Sequence, residues 1–359
     1  MSVIIIGAGL SGLAAAFRLQ QNNIPFQVLE ARNRAGGRIK TLEGPLEMGA
    51  TWFGDQHQHL KAFLESIDVA HFEQYIEGRL IYDLDPKAPA QLYELPPGQA
   101  PTYRVAGGTS AIIQRLIQLI GEEHINYNVR LSHIVEEEKG IVLSGTDGQQ
   151  YQASHVISTI PPQLMARSIE TLPALPEEVR EVMLQTHTWM GESIKFGVSY
   201  PGPFWRDKGL SGMGFGQTGV IQEVHDHTSN LGDFAALKGF LNPELRHYSQ
   251  KDREALVIAQ LEKMFGPAAK TYTAYTDEVW KNEAHTSVAE SGYLAPHQNN
   301  GHPLFRTPLL NGKLILGGTE VSAVYPGYME GAVYSGTAAA QQVITRLNPD
   351  NSVDNLFRV

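Results

Sequence analysis

Val3-Ile4-Ile5-Ile6-Gly7-Ala8-Gly9-Leu10-Ser11-Gly12 reads as a buried strand, a tight turn and the first turn of a helix. Its glycines have separate tasks: Gly7 turns the chain, Gly9 lets the backbone approach phosphates, and Gly12 lets the helix pack on the strand, while the N–H groups of the first helical turn, at Leu10 and Ser11, face an anion. A second apolar run, Phe26-Gln27-Val28-Leu29, ends in Glu30-Ala31-Arg32, which puts a carboxylate at a strand end for the hydroxyls of an adenosine ribose and disfavours a 2′-phosphate. Gly36-Gly37-Arg38 then adds a second Gly/Arg turn that a plain nicotinamide fold does not need, so the stretch reads as a flavin dinucleotide site. A Gly-x-Gly-x-x-Gly pattern alone is weak. The strand before it, the helix after it and the acidic residue at the right distance give it weight.

Composition bounds the remainder. The chain has 359 residues, enough for two domains, and 42% hydrophobic residues for their cores. A formal net charge of −10 argues against a nucleic-acid surface. With no cysteine, disulfides, thiolate metal sites and thioether attachment of a cofactor are excluded, and a cytoplasmic location is expected. The first apolar run is too short for a signal peptide and no stretch reaches membrane-spanning length, so a membrane partner is not expected.

The proline-rich stretch 83–101 reads as a loop crossing between domains, followed by a helix over 110–120. Strands at 125–131, 140–144 and 150–158, with Asp147-Gly148 as a hairpin turn, suggest a small antiparallel layer. Residues 173–296 mix helices, at 177–185 and 251–265, with aromatic-rich strands and read as a second domain. A strand at 313–316 leads to Gly317-Gly318-Thr319-Glu320, and Pro326-Gly327-Tyr328-Met329 opens a long alanine-rich helix. That helix N-terminus suits an electron-rich group, here the pyrimidine side of a flavin, whose developing negative charge the helix dipole stabilises. His225-Asp226-His227 reads as a solvated loop, His57 and His59 as exposed loop histidines, and no metal-ligand cluster or Ser/His/Asp order stands out.

Residues 7–38, Met48-Gly49-Ala50-Thr51-Trp52, Val105-Ala106-Gly107-Gly108, Val156-Ile157-Ser158-Thr159-Ile160-Pro161-Pro162 and 317–332 together resemble, in order, the segments of the flavin-containing amine oxidases, the family of monoamine and polyamine oxidases. Protoporphyrinogen oxidase and the carotenoid desaturases share the N-terminal part, so the second domain carries the closer likeness. The resemblance implies an α/β fold with a Rossmann-like, GR2-type FAD-binding domain over 1–75, 104–165 and 295–359. It also implies a mixed α+β substrate domain on an antiparallel sheet over 76–103 and 166–294. FAD-binding residues so implied are Gly7, Gly9, Leu10, Ser11, Gly12, Glu30, Ala31, Arg32, Gly37, Arg38, Met48, Gly49, Ala50, Thr51, Trp52, Val129, Gly318, Glu320, Tyr328 and Met329.

In the same family likeness, Met190-Gly191-Glu192-Ser193-Ile194-Lys195 looks like the strand whose lysine holds a water against flavin N5, and Trp280 like the tryptophan near the flavin. Tyr328 matches one wall of the aromatic cage that orients a substrate amine. For the opposite wall, gap-free counting from Trp280 gives Glu290, and a shift of three gives Tyr293. Cysteine-attached members carry that residue near Ala289, so FAD is expected to be noncovalent. Asn33 stands where an aspartate is common, and only about fifty residues separate Thr51 from Gly107, which implies a more open or differently roofed site. The implied chemistry is hydride transfer from an amine carbon to flavin N5, hydrolysis of the imine, and reoxidation by molecular oxygen to give peroxide. Two alternatives stay open: oxidation of a non-amine substrate such as a reduced dinucleotide or a polyene, and a flavin-binding protein without activity.

Overall fold

The structure, a computed structural model, describes residues 2–288 and 292–348. A five-stranded parallel sheet forms its centre, in the order Ile125–Asn126, Phe26–Leu29, Val3–Ile6, His155–Ser158, Leu314–Leu316. Every residue of Val3–Ile6 is buried, as a strand covered on both faces requires. One face is covered by the helices Leu10–Gln21, Ser110–Ile120 and Met329–Leu347, the first and last in close mutual contact. Gly12 permits the first helix to sit this close to the turn, because a Cβ there would lie 1.9 Å from Gly7 O, and Gly7 itself has φ +99°. The opposite face packs on a smaller sheet of Gln150–Ala153, Gly140–Gly145, Leu131–Glu137 and Glu170–Leu172.

A second layer is a seven-stranded sheet in the order Ala274–Val279, Ile194–Tyr200, Ala235–Leu241, Ile221–Asp226, Leu210–Gly216, Arg79–Asp83, Gln91–Glu94. All its pairings are antiparallel except Leu210–Gly216 with Arg79–Asp83. Helix Gln250–Phe265 covers one face through Val257, Leu261, Met264 and Phe265. The other face meets the parallel-sheet layer, with Leu46, Met48 and Ala236 as a small apolar contact.

Several local expectations change. The proline-rich stretch is no mere crossing loop, because Gln91–Glu94 pairs with Arg79–Asp83 as an edge hairpin. Of the three strands expected in one antiparallel layer, the ends diverge: Ile125–Asn126 and His155–Ser158 join the parallel sheet, where their apolar residues complete its buried core. Among the described residues, no helix is long and apolar enough to cross a membrane and no His/Asp/Glu group is arranged to hold a metal.

Candidate active site

A cavity of about 430 Å³ runs between the two layers, and both ends of the described chain contribute to it. At one end stand Gly7, Gly9, Leu10 and Ser11 with Glu30, Ala31, Arg32, Gly37 and Arg38. Helix Leu10–Gln21 begins at Gly9 without a side-chain cap, and a Cβ on Gly9 would meet nothing within 4 Å. Uncapped N–H groups facing open space are what a diphosphate fills. Glu30, 3% exposed, accepts hydrogen bonds from Ala8 N at 2.8 Å and Arg32 N at 2.9 Å. Arg32 in turn donates to Glu283 at 3.0 Å and Thr286 at 2.7 Å, which brings Ala284, His285 and Thr286 over this end. Val129 also lines the wall.

At the other end the turn Met48–Trp52 is fixed by side chains from three separate elements. Met48 O accepts the Trp280 indole N–H at 2.8 Å, Gly49 O accepts Lys195 Nζ at 2.5 Å, and Ala50 O accepts the Thr109 hydroxyl at 2.9 Å. Buried carbonyls need such partners, and here they preorganise the wall. Gly49, Ala50, Thr51, Trp52, Lys195, Trp280, Tyr328 and Met329 line the cavity. Helix Met329–Leu347 presents its N-terminus here, and its buried Glu330 turns away to accept His59 N at 3.1 Å and Leu60 N at 2.7 Å. Burial lowers the Lys195 amine to about 8, with Glu47 and Glu223 opposing that shift.

Six of the expected residues stand behind the wall, on the exposed surface or outside the described residues. Gly12 packs on the turn; Gly318 backs onto Thr159 O; Met48 is 0% exposed and presents only its carbonyl to Trp280. Glu320, also 0% exposed, holds Arg38 through paired bonds of 2.6 and 2.9 Å, and Arg38 Nη1 donates to Trp189 O at 3.1 Å. Tyr293 is 88% exposed and is not part of the cavity wall. Glu290 and Ala289 lie outside the described residues.

The sequence reading passed over Trp189. Its ring stacks on His297 with centroids 3.9 Å apart, and Tyr328 lies 5.8 Å from Trp189 and 5.7 Å from His297. A Cβ on Gly327, at φ +90°, would come within 2.8 Å of the Trp189 Cβ, so this cluster needs that glycine. Trp189, Met190 and Phe240 also line a smaller outer cavity of about 310 Å³. An aromatic in the turn before a lysine-bearing strand was the one available signal. Two histidine expectations are corrected. His57 is 5% exposed beneath Tyr325 and Tyr328. His225-Asp226-His227 is no solvated loop: Asp226 is 1% exposed and bonds Trp205, Arg206 and Thr228, and His227 is 0% exposed.

Comparison with known proteins matches the family model "Flavin containing amine oxidoreductase" to residues 10–90 and 87–344. A probable flavin-containing monoamine oxidase A of Dictyostelium discoideum is 24% identical over 452 residues, covering 96% of this chain and 98% of that protein. An L-amino acid dehydrogenase of a Synechocystis strain is 24% identical, covering 95% of this chain and 94% of its own. Among solved structures, putrescine oxidase with bound putrescine superposes with a TM-score of 0.83 at 24% identity, covering 96% of this chain and 99% of that one. The 452 aligned positions exceed the 359 residues of this chain, so the relative carries insertions that this chain lacks.

Proposed function

We propose a function for this chain from one premise: it belongs to the family of flavin-containing amine oxidoreductases. It is accordingly an FAD-dependent oxidoreductase of the amine oxidase type, and the uncapped helix start at Gly9, the open space before it and the long cavity beyond it fit the cofactor. The finer reading is that it oxidises a small primary or secondary amine, with FAD held noncovalently and oxygen as the acceptor. When bound, FAD would supply the hydride acceptor for the amine carbon and the two electrons that, with a proton, would reduce oxygen to hydrogen peroxide.

The residues of this chain supply the surroundings of that chemistry. Gly9, Leu10 and Ser11 offer N–H groups to the diphosphate, and Glu30 offers its remaining lone pairs to the ribose. Tyr328, with Trp189 beside it, presents ring faces that hold a neutral or cationic nitrogen by quadrupole and shape. Lys195 places a cationic amine against the wall where negative charge develops, and is suited to hold a water there. The imine leaves the site and is hydrolysed by water to the carbonyl product. The observation that carries this reading is a single cavity lined by Gly9, Glu30, Lys195, Trp280 and Tyr328 together. The division into an FAD-binding unit, 1–75 with 104–165 and 295–359, and a substrate unit, 76–103 with 166–294, belongs to the same proposal.

The test is a visible spectrum of the purified protein with acid release of the chromophore, followed by peroxide release across a panel of mono- and diamines with reduced nicotinamide as control. Peroxide from an amine is the expected result. Peroxide from reduced nicotinamide alone refutes the amine assignment, and a flavin that no amine reduces without oxygen refutes catalysis on amines altogether.

A further inference from the structure

Lys238 has no part in the chemistry described so far. Its strand, Ala235–Leu241, pairs with Ile194–Tyr200 so that Lys195 lies opposite Phe240 and Gly197 opposite Lys238. Residues two apart on a strand share a face, so the two lysines are diagonal neighbours on the face that meets the cavity layer. Both amines lie over the Phe240 ring, at 4.9 Å for Lys195 and 5.8 Å for Lys238, and Lys238 Nζ also sits 4.1 Å from the Trp52 ring. One string of hydrogen bonds joins them. Lys238 Nζ bonds the Thr51 hydroxyl, that hydroxyl donates to Gly49 O at 3.2 Å, and Lys195 Nζ donates to the same carbonyl at 2.5 Å.

The charges around this string do not balance if both amines are protonated. Lys238 is 0% and Lys195 5% exposed. The fully buried carboxylate of Glu47 bonds Thr109 N through Oε1, while its Oε2 has no hydrogen-bond partner and lies 4.0 Å from Arg104 Nε and 3.4 Å from His227 Nε2. On the adjoining strand Ile221–Asp226, Glu223 and His225 stand 3.8 Å apart, with the Glu223 side chain 37% exposed. Glu278, opposite Lys195 on strand Ala274–Val279, is taken by Lys40, and the buried Asp226 by Arg206, so Arg104 and the two amines are left with the buried Glu47 and the partly exposed Glu223. A guanidinium keeps its proton, whereas a buried amine gives up its own when desolvation outweighs attraction. Burial pushes Lys238 well below the ordinary lysine range, and the neighbouring Lys195 charge acts in the same direction; burial likewise drives His227 down, so it adds no further positive charge.

We propose that Lys238 is a positioning residue of the reaction centre: the neutral half of a buried pair of amines that carries one proton between them and seats it on Lys195, beside the cavity. In that state the Thr51 hydroxyl turns its hydrogen onto the Lys238 lone pair, and the Gly49 carbonyl is left to the Lys195 ammonium. The pair itself stands on the geometry; its use in flavin reoxidation rests on the amine oxidase reading above.

The experiment is an NMR pH titration of FAD-loaded protein carrying lysine labelled at Cε, with Lys195→Met and Lys238→Met variants assigning the two resonances. In the wild type, Lys238 is neutral at pH 7 and Lys195 titrates close to 8. Lys195→Met raises the Lys238 midpoint, and Lys238→Arg lowers the Lys195 midpoint, each by about one unit or more, because each changes the like charge facing the remaining amine. The alkaline limb of the reoxidation rate follows the Lys195 midpoint. A Lys238 that is charged at pH 7 in the wild type overturns the proposal, as do midpoints that ignore replacement of the partner. Should the methionine variants fail to fold, the conservative Lys195→Arg and Lys238→Arg proteins assign the two resonances instead, each by the loss of one lysine signal. Absence of turnover with every amine bears on the function reading and leaves this titration intact.

Discussion

Replacing Glu30 with alanine removes two hydrogen bonds, one that ties the phosphate turn to the end of the second strand and one that closes the turn following that strand. Oε2 accepts from Ala8 N at 2.8 Å and Oε1 from Arg32 N at 2.9 Å, with Arg32 Nη1 a further 3.6 Å from Oε1. A hydrogen bond to a charged group contributes about 1.5–3 kcal/mol, so losing both costs about 3–5 kcal/mol of folding stability without cofactor, the two bonds sharing one carboxylate and adding less than fully. Water does not restore the bond at Ala8, which is 0% exposed. Glu30 also lines the cavity, and loss of the proposed ribose contacts is expected to cost a further 1–3 kcal/mol, about 5- to 150-fold in FAD affinity. Urea unfolding of the cofactor-free and FAD-saturated proteins separates the two effects, because the FAD-dependent increment follows RT ln(1 + [FAD]/Kd). A stability loss below about 1 kcal/mol without FAD refutes the strut. An FAD Kd unchanged within about threefold refutes the ribose contact.

Trp189→Ala opens the ring cluster and is expected to raise KM for an aryl or alkyl amine by about 10-fold or more while Trp189→Phe retains most of the affinity, as the loss of one aromatic face predicts; steady-state kinetics on the three proteins decide it. For Lys195 the folded-state pKa, about 8, lies below the ordinary lysine value of 10.5, so its charged form opposes folding below about pH 8, and that cost fades as pH rises toward 10.5. Lys195→Met should therefore slow flavin reoxidation yet raise stability at pH 7 by about 1–3 kcal/mol, less the bond lost at Gly49 O, with the gain shrinking above pH 8; stopped-flow reoxidation and urea curves at both pH values check this. Asp226→Asn should cost about 3–5 kcal/mol, because it leaves the Arg206 guanidinium, which now donates bonds of 2.7 and 2.9 Å to the Asp226 carboxylate, without its anion; an unaltered urea midpoint contradicts it.

The legible part of this fold is its local part. The turn after Val3–Ile6, the helices near 110–120, 177–185 and 251–265, and the last strand and helix all announce themselves through periodicity and glycine placement. Partner choice between strands does not. Nothing in the residues 155–158 says whether they continue a hairpin or enter the parallel sheet, since an apolar run suits either and distant packing decides. The same holds for Gln91–Glu94, hidden among prolines that flank the strand without interrupting it. Charged and polar residues in the core are the hardest to foresee: Asp226, His227 and Lys238 carry a surface composition, and only long-range partners such as Arg206, Glu47 and Thr51 make their burial tolerable. Trp189 was missed for a related reason, its neighbours His297 and Tyr328 being far along the chain.

The contact between helices Leu10–Gln21 and Met329–Leu347 has a consequence for biosynthesis. One cavity wall comes from residues 6–11 and another from residues 319–332, so synthesis must pass residue 332 before the pocket exists. Cofactor capture thus requires both segments to be in place, and the Glu30 bond to Ala8 N is what holds the phosphate turn in shape beforehand.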